Sequence, residues 1–171
     1  DNMSISENQT HINAITSRQK FIELLTWMAS DKQINKQTEN DIYRIASNFA
    51  IATPKDATVM MTLLPFARAA ITDISTTSKV EPILFMLTCM RQSAPQPHWT
   101  EDVCTLLHLV ETQSSTIQAE IFCGIADFVR SAADSVLEHL HQRLRTQNLH
   151  EIITRCTRST DVIVSTTSTH P

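Results

Sequence analysis

Glycine is almost absent from this sequence, since Gly124 is the single glycine among 171 residues. Tight turns with positive φ, glycine-rich phosphate loops and many β-hairpins depend on glycine. A Gly-x-Ser-x-Gly nucleophile elbow is also excluded, because that motif needs two glycines. The scarcity of glycine therefore predicts helices joined by polar turns.

Long apolar runs and an excess of basic residues are missing as well. No stretch approaches the roughly eighteen uninterrupted apolar residues that a membrane-spanning helix needs, and the first ten residues lack the regions of a secretory signal. The formal net charge is −4, which leaves no general surplus of Lys and Arg to neutralise phosphates. We therefore expect no transmembrane segment, and general nucleic-acid binding is not expected.

The four cysteines occur singly, without a CxxC pair. This pattern indicates reduced, largely buried thiols and hence a cytoplasmic or nuclear protein. Two Asn-x-Ser/Thr patterns, at Asn2 and Asn8, would favour secretion, but chance matches are expected in a segment so rich in Asn, Ser and Thr. The cysteines are Cys89, Cys104, Cys123 and Cys156.

Side chains that can cap a helix occur at regular intervals, and their oxygens can accept hydrogen bonds from the first helical turn. Pro54 would take the first helical position after a cap at Thr53, whereas Pro65 is expected to kink or divide the helix that contains it. Between the caps, apolar residues recur at spacings of three and four. The predicted helix starts are Thr38, Thr53, Ser78, Thr100, Ser115, Ser131 and Asn148.

These signals predict an all-α fold, either a compact bundle or a short HEAT/armadillo-like stack of about seven to eight helices. Every second start gives a spacing of 40, 37 and 33 residues, which lies in the range of two-helix repeats, although no repeated side-chain signature accompanies it. The expected organisation is a flexible segment over 1–10, a single α-helical domain over 11–158 and a flexible Ser/Thr-rich tail over 159–171.

Two groups of residues resemble metal sites in their spacing. His139 and His141 follow Glu138, but each helical residue turns by about 100°, so the two imidazoles would lie on opposite sides of a buried stripe. Cys104 and His108 are four residues apart, as helical metal ligands often are, yet two further ligands are not indicated. We therefore predict no metal, cofactor or catalytic residue, and no enzyme activity.

We predict different environments for the two tryptophans. Trp99 stands beside prolines in a loop, where it could anchor a partner. The alternative is a hydrophobic staple, in which Trp99 precedes the cap Thr100 and packs on Cys104. Trp27 falls within a strong apolar stripe and is predicted to lie in the core.

Residues 139–158 hold one acid, Glu151, among several basic residues. A surface of this charge suits an acidic partner segment, an anionic lipid head group or an RNA backbone. Together with Trp99, the residues predicted to bind a partner are His139, Arg143, Arg145, His150 and Arg155.

The leading functional prediction is a non-enzymatic α-helical interaction module, an adaptor or complex subunit that holds another protein's helix or extended acidic segment and that could also form oligomers. The alternatives are an adaptor or effector of a bacterial secretion or host-interaction system, an RNA- or anionic-lipid-binding helical domain, and an uncharacterised enzyme. A methionine cluster could give an adaptable lining or simply fill the core. It comprises Met60, Met61, Met86 and Met90.

Overall fold

The computed structural model describes residues 17–31, 33–54, 57–73 and 79–155, and these ranges contain eight helices and no strand. The all-α prediction is therefore confirmed. No helix in the described ranges is long and apolar enough to cross a membrane. The segments 1–10 and 159–171, which we predicted to be flexible, lie outside the described residues. The helices are α1 (17–30), α2 (Lys36–Ala52), α3 (Thr58–Thr72), α4 (Val80–Gln92), α5 (Trp99–Val110), α6 (Ser115–Ser131), α7 (Asp134–Thr146) and α8 (150–155).

The chain divides into two compact units, Asp1–Gln92 and Ser93–Pro171. In the first unit, α4 packs against both α2 and α3. The sequence predicts that α4 lies inside because it is apolar nearly all round, and seven of its thirteen residues are indeed buried. Phe85 of α4 meets Tyr43 of α2 with ring centroids 5.8 Å apart. The single domain over 11–158 stays a prediction.

In the second unit, α5 packs against α6 and α7. Its buried stripe includes Val103, Leu106 and Val110, which recur at the three- and four-residue spacing of one helical face. Across from it, α7 buries Val136 and Leu140. Most of the α7 surface is thus left for polar and charged side chains.

Four predicted helix starts, Thr38, Thr53, Thr100 and Ser131, are wrong; α5 begins at Trp99, and Ser131 is the last residue of α6. The side chain of Asn35 caps α2, since its Oδ1 accepts the Thr38 N–H at 2.9 Å. Thr53 closes the end of α2 instead of opening α3, because its N–H and its hydroxyl both donate to the Phe49 carbonyl, at 2.9 Å and 2.7 Å. Pro54 therefore does not start a helix, and α3 begins at Thr58.

Pro65 does not divide α3, which runs from Thr58 to Thr72 as one helix. Proline cannot donate the helical hydrogen bond to the carbonyl four residues earlier, here that of Met61. Met61 is 56% exposed and Pro65 is exposed as well. The missing bond therefore falls on the exposed side of the helix, where water can serve the carbonyl.

Candidate functional site

The residues predicted as a basic surface lie on α7 and α8, and we call His139, Arg143, Arg145, His150 and Arg155 the basic edge. All five are exposed. The structure brings two of them to acids in α5 or directly after it. Arg143 forms an ion pair with Glu101, and Arg155 Nη1 lies 3.5 Å from Glu111 Oε1.

These ion pairs reduce the excess positive charge of the basic edge. The prediction counted acids only within residues 139–158, whereas Glu101 and Glu111 lie some forty residues before their partners in the sequence. Exposed pairs of this kind are worth about 0–1 kcal/mol, so an acidic partner could replace them at small cost. The side chains of three members, His139, Arg145 and His150, have no polar partner within the described part of the chain.

Trp99 is part of the core of the second unit, with 1% of its surface exposed. It is the first residue of α5, so it does not precede the cap as the predicted staple would require. Thr100 does not cap the helix either, because its hydroxyl donates to the Pro97 carbonyl at 2.7 Å. A binding role for Trp99 stays a prediction.

The cysteine and the histidine of α5 lie in different environments, one buried and the other exposed. Cys104 is buried, and burial raises the pKa of its thiol, with the charge of Glu101 raising it further and Arg143 opposing both. The thiol therefore stays protonated at neutral pH and is a poor nucleophile. His108 is exposed, and its Nε2 lies 3.2 Å from Gln147 Oε1.

No group of three or more His, Cys, Asp or Glu side chains in the described ranges is arranged to hold a metal ion. The prediction of largely buried thiols holds for Cys89 and Cys104, but Cys123 is exposed. Cys156 lies outside the described residues.

The prediction that Trp27 belongs to the core is wrong, because 64% of its surface is exposed. The buried side of α1 carries Ile22 and Leu25, and Trp27 is turned about 200° from Leu25 around the helix. Leu24, one turn before Trp27, is 51% exposed. A tryptophan and a leucine thus lie together on the outer side of α1.

A third exposed apolar residue, Ile45, lies on α2 and is 45% exposed. Phe21 of α1 and Phe49 of α2 have ring centroids 5.4 Å apart, and only residues 31–35 join the two helices, so the helices run antiparallel. Leu24 lies one turn after Phe21 on α1, and Ile45 lies one turn before Phe49 on α2. Each residue is therefore one turn closer to the connection than the phenylalanine of its own helix. We call Leu24, Trp27 and Ile45 the apolar strip.

No protein-family model, curated protein or solved structure matches this chain. The functional conclusion therefore rests on the described residues. Two surfaces qualify, the apolar strip in the first unit and the basic edge in the second. The sequence pattern pointed to the basic edge alone, because periodicity placed Trp27 in the core.

Proposed function

We propose that the chain is a non-enzymatic helical interaction module that holds an amphipathic helix of another protein against the apolar strip. The observation that carries the proposal is the exposure of Trp27, at 64%, beside Leu24, at 51%. Tryptophan is enriched among the residues that dominate binding energy at protein interfaces. Exposed large apolar side chains that lie together mark interaction sites more often than isolated ones do.

A helix fits the strip better than an extended segment does. The strip spans two neighbouring antiparallel helices, joined side by side at the contact of Phe21 and Phe49. A helix laid along such a pair presents apolar residues at spacings of three, four and seven, which match the one-turn spacing of Leu24 and Trp27. An extended strand would gain no backbone hydrogen bonds here, because helices leave none unpaired along their sides.

The partner can be identified by photo-crosslinking from a position beside the strip. Lys20 is exposed and lies one turn before Leu24, so a photoreactive amino acid at this position would leave the strip intact. Mass spectrometry of the crosslinked product gives the partner segment, and a synthetic peptide of that segment then serves for titration. A photoreactive residue at the exposed position 138 of α7 is the matched control.

The titration distinguishes binding at the apolar strip from nonspecific hydrophobic binding. We expect Leu24→Asp to abolish binding of the peptide, whereas Ile51→Asp, at an apolar residue 59% exposed outside the strip, should leave it unchanged. Circular dichroism should show that the bound peptide is helical. Equal loss with both variants, or a partner crosslinked only from position 138, would contradict the proposal.

A second candidate function is the binding of an acidic segment at the basic edge. It is favoured by His139, Arg145 and His150, whose side chains are exposed and have no polar partner in the described ranges. Arg145→Glu should then weaken the binding of an acidic peptide and reduce its salt dependence. Arg44→Glu, in the other unit, provides a control with the same charge change. Binding that is the same in both variants would remove this candidate.

A further inference from the structure

The first unit contains a cavity of about 430 Å³ that neither proposed surface uses. It lies at the end of α1, beside the connection to α2, and against the last turns of α3. Its volume falls within the range of small-molecule pockets, which is roughly 300–1,000 Å³. The cavity can therefore accept a ligand of a few to a dozen heavy atoms.

Three acidic residues, Asp31, Glu39 and Asp73, line this cavity. Asp31 Oδ1 accepts the Gln33 N–H at 2.9 Å, and Glu39 Oε2 lies 2.9 Å from Lys36 Nζ. A carboxylate can accept several hydrogen bonds, so these contacts leave acceptor sites on Asp31 and Glu39 for a ligand.

The C-terminal end of α1 adds to the negative potential. Both α1 and α3 end at the cavity, and the carbonyl groups at a helix C-terminus carry partial negative charge. At α3 a cation is already present, because Lys79 Nζ donates to the Ile71 carbonyl at 2.5 Å. Cations are favoured at such helix ends, and anions are disfavoured.

A buried hydroxyl group also lines the cavity. Tyr43 is 2% exposed, and its hydroxyl has no hydrogen-bond partner among the described residues. Burial raises the pKa of Tyr43 far above its usual range, and the charge of Glu39 raises it further, so the phenol stays neutral. A phenol oxygen beside an open cavity can accept a hydrogen bond from an occupant.

The remaining walls are apolar or aromatic, and they include Met28, Ile34 and Phe66. The Tyr43 ring is held in place by Phe85, with centroids 5.8 Å apart. Aromatic faces attract cations, more strongly where water is excluded. The combination of carboxylates, an unpaired phenol and apolar walls suits a charged head group attached to an apolar stem.

We propose that this cavity binds an organic cation, a primary ammonium group on a short apolar stem, carried by a free amine or by the side chain of a lysine. The three N–H groups of the ammonium would donate to Glu39, Asp31 and the Tyr43 oxygen, and the stem would lie against Met28 and Phe66. This binding site goes beyond the interaction module, because its lining does not include the apolar strip.

Isothermal titration calorimetry of the full chain with two matched probes tests whether the cavity prefers a positively charged ligand. Phenethylamine carries the ammonium group, and phenethyl alcohol is its neutral counterpart of similar size. We expect the amine to bind at least about tenfold more tightly than the alcohol, the size of effect typical of a charge-assisted hydrogen bond. A third probe, Nα-acetyl-lysine methylamide, tests the lysine source.

Three variants test the residues. Glu39→Gln and Asp31→Asn remove one charge each, and in the second the amide oxygen can still accept the Gln33 N–H; each should weaken amine binding by about tenfold. Tyr43→Phe should weaken it by about threefold or more. The control, Asp41→Asn, removes a carboxylate from the same helix outside the cavity and should leave the affinity unchanged.

Thermal unfolding of each variant shows whether the fold is retained, and a variant that unfolds is replaced by the other charge variant. Binding of phenethylamine alone would assign the site to a free amine, and binding of the lysine derivative would assign it to a peptide; both outcomes support the proposal. It is overturned by equal affinity for the amine and the alcohol, by unchanged affinity in the folded Glu39 and Asp31 variants, or by no saturable binding of either ammonium probe up to about 10 mM.

Discussion

Replacement of Trp27 by alanine isolates the main contact in the proposed interface. A tryptophan side chain offers up to about 250 Å² of surface, and 64% of Trp27 is exposed, so a partner could cover roughly 160 Å². At about 25 cal/mol per Å², this area corresponds to roughly 4 kcal/mol of transfer free energy. Ordering of side chains on binding offsets part of it, and we expect a loss of at least about 2 kcal/mol, or about thirtyfold in Kd.

The same substitution should hardly affect the fold. Trp27 lies on the outer side of α1, away from the buried Ile22 and Leu25, and surface substitutions usually change stability by less than about 0.5 kcal/mol. Urea unfolding followed by circular dichroism measures the stability, and calorimetry with the partner peptide measures the affinity. A large loss of affinity with little loss of stability identifies a binding residue, whereas a large loss of stability identifies a core residue.

Two results would refute this reasoning about Trp27. A loss of several kcal/mol of stability in the alanine variant would show that the side chain is part of the core, as the periodicity of α1 predicted. An unchanged Kd in a stable variant would show that the exposed indole contributes nothing to recognition. Ile51→Ala, at another exposed apolar residue, gives the baseline for both measurements.

Three further predictions concern the fold and the thiols. Asn35→Ala should lower the free energy of unfolding by about 1 kcal/mol, since the cap on the Thr38 N–H is lost, whereas Asn35→Ser should retain most of the stability; denaturant titration checks both. Phe85→Ala should cost about 3–5 kcal/mol, because the ring is fully buried against Tyr43, and a cost near zero would place α4 outside the core. In a Cys156→Ser background, a thiol reagent should modify Cys123 quickly at neutral pH while Cys89 and Cys104 react slowly; rapid labelling of Cys104 would contradict its burial and the raised pKa of its thiol.

The sequence predicted those parts of the fold that depend on short-range patterns. The nearly continuous apolar character of α4 correctly indicated a helix buried on most sides. Val103, Leu106 and Val110 follow the three- and four-residue spacing from which helices were predicted, and all three are buried in α5. The helical spacing of apolar residues and the scarcity of glycine together predicted the all-α class.

The helix starts were harder to predict, because a polar residue can serve either end of a helix. Thr53 fits the pattern of an N-terminal cap, but its N–H and hydroxyl reach back to the Phe49 carbonyl. Asn35 was overlooked since Thr38, three residues later, carries the same kind of signal. Only the path of the chain decides which of two nearby oxygen-bearing side chains makes the capping bond.

The candidate surfaces depended on contacts that are distant in sequence. The basic edge meets Glu101 of α5 and Glu111 directly after it, which no local count of charges would include. Trp27 is exposed although periodicity placed it in the core, and Trp99 is buried. Periodicity identifies an apolar face, but it does not show how wide a part of that face the neighbouring helices cover.

Amide hydrogen exchange of the full chain, with and without the crosslinked partner segment, shows whether a partner helix lies on the apolar strip. We expect the segment to become protected as a helix and to slow exchange in α1 and α2, and we expect Trp27→Ala to remove both effects. Protection confined to α7 and α8, or none in α1 and α2, would contradict binding at the apolar strip.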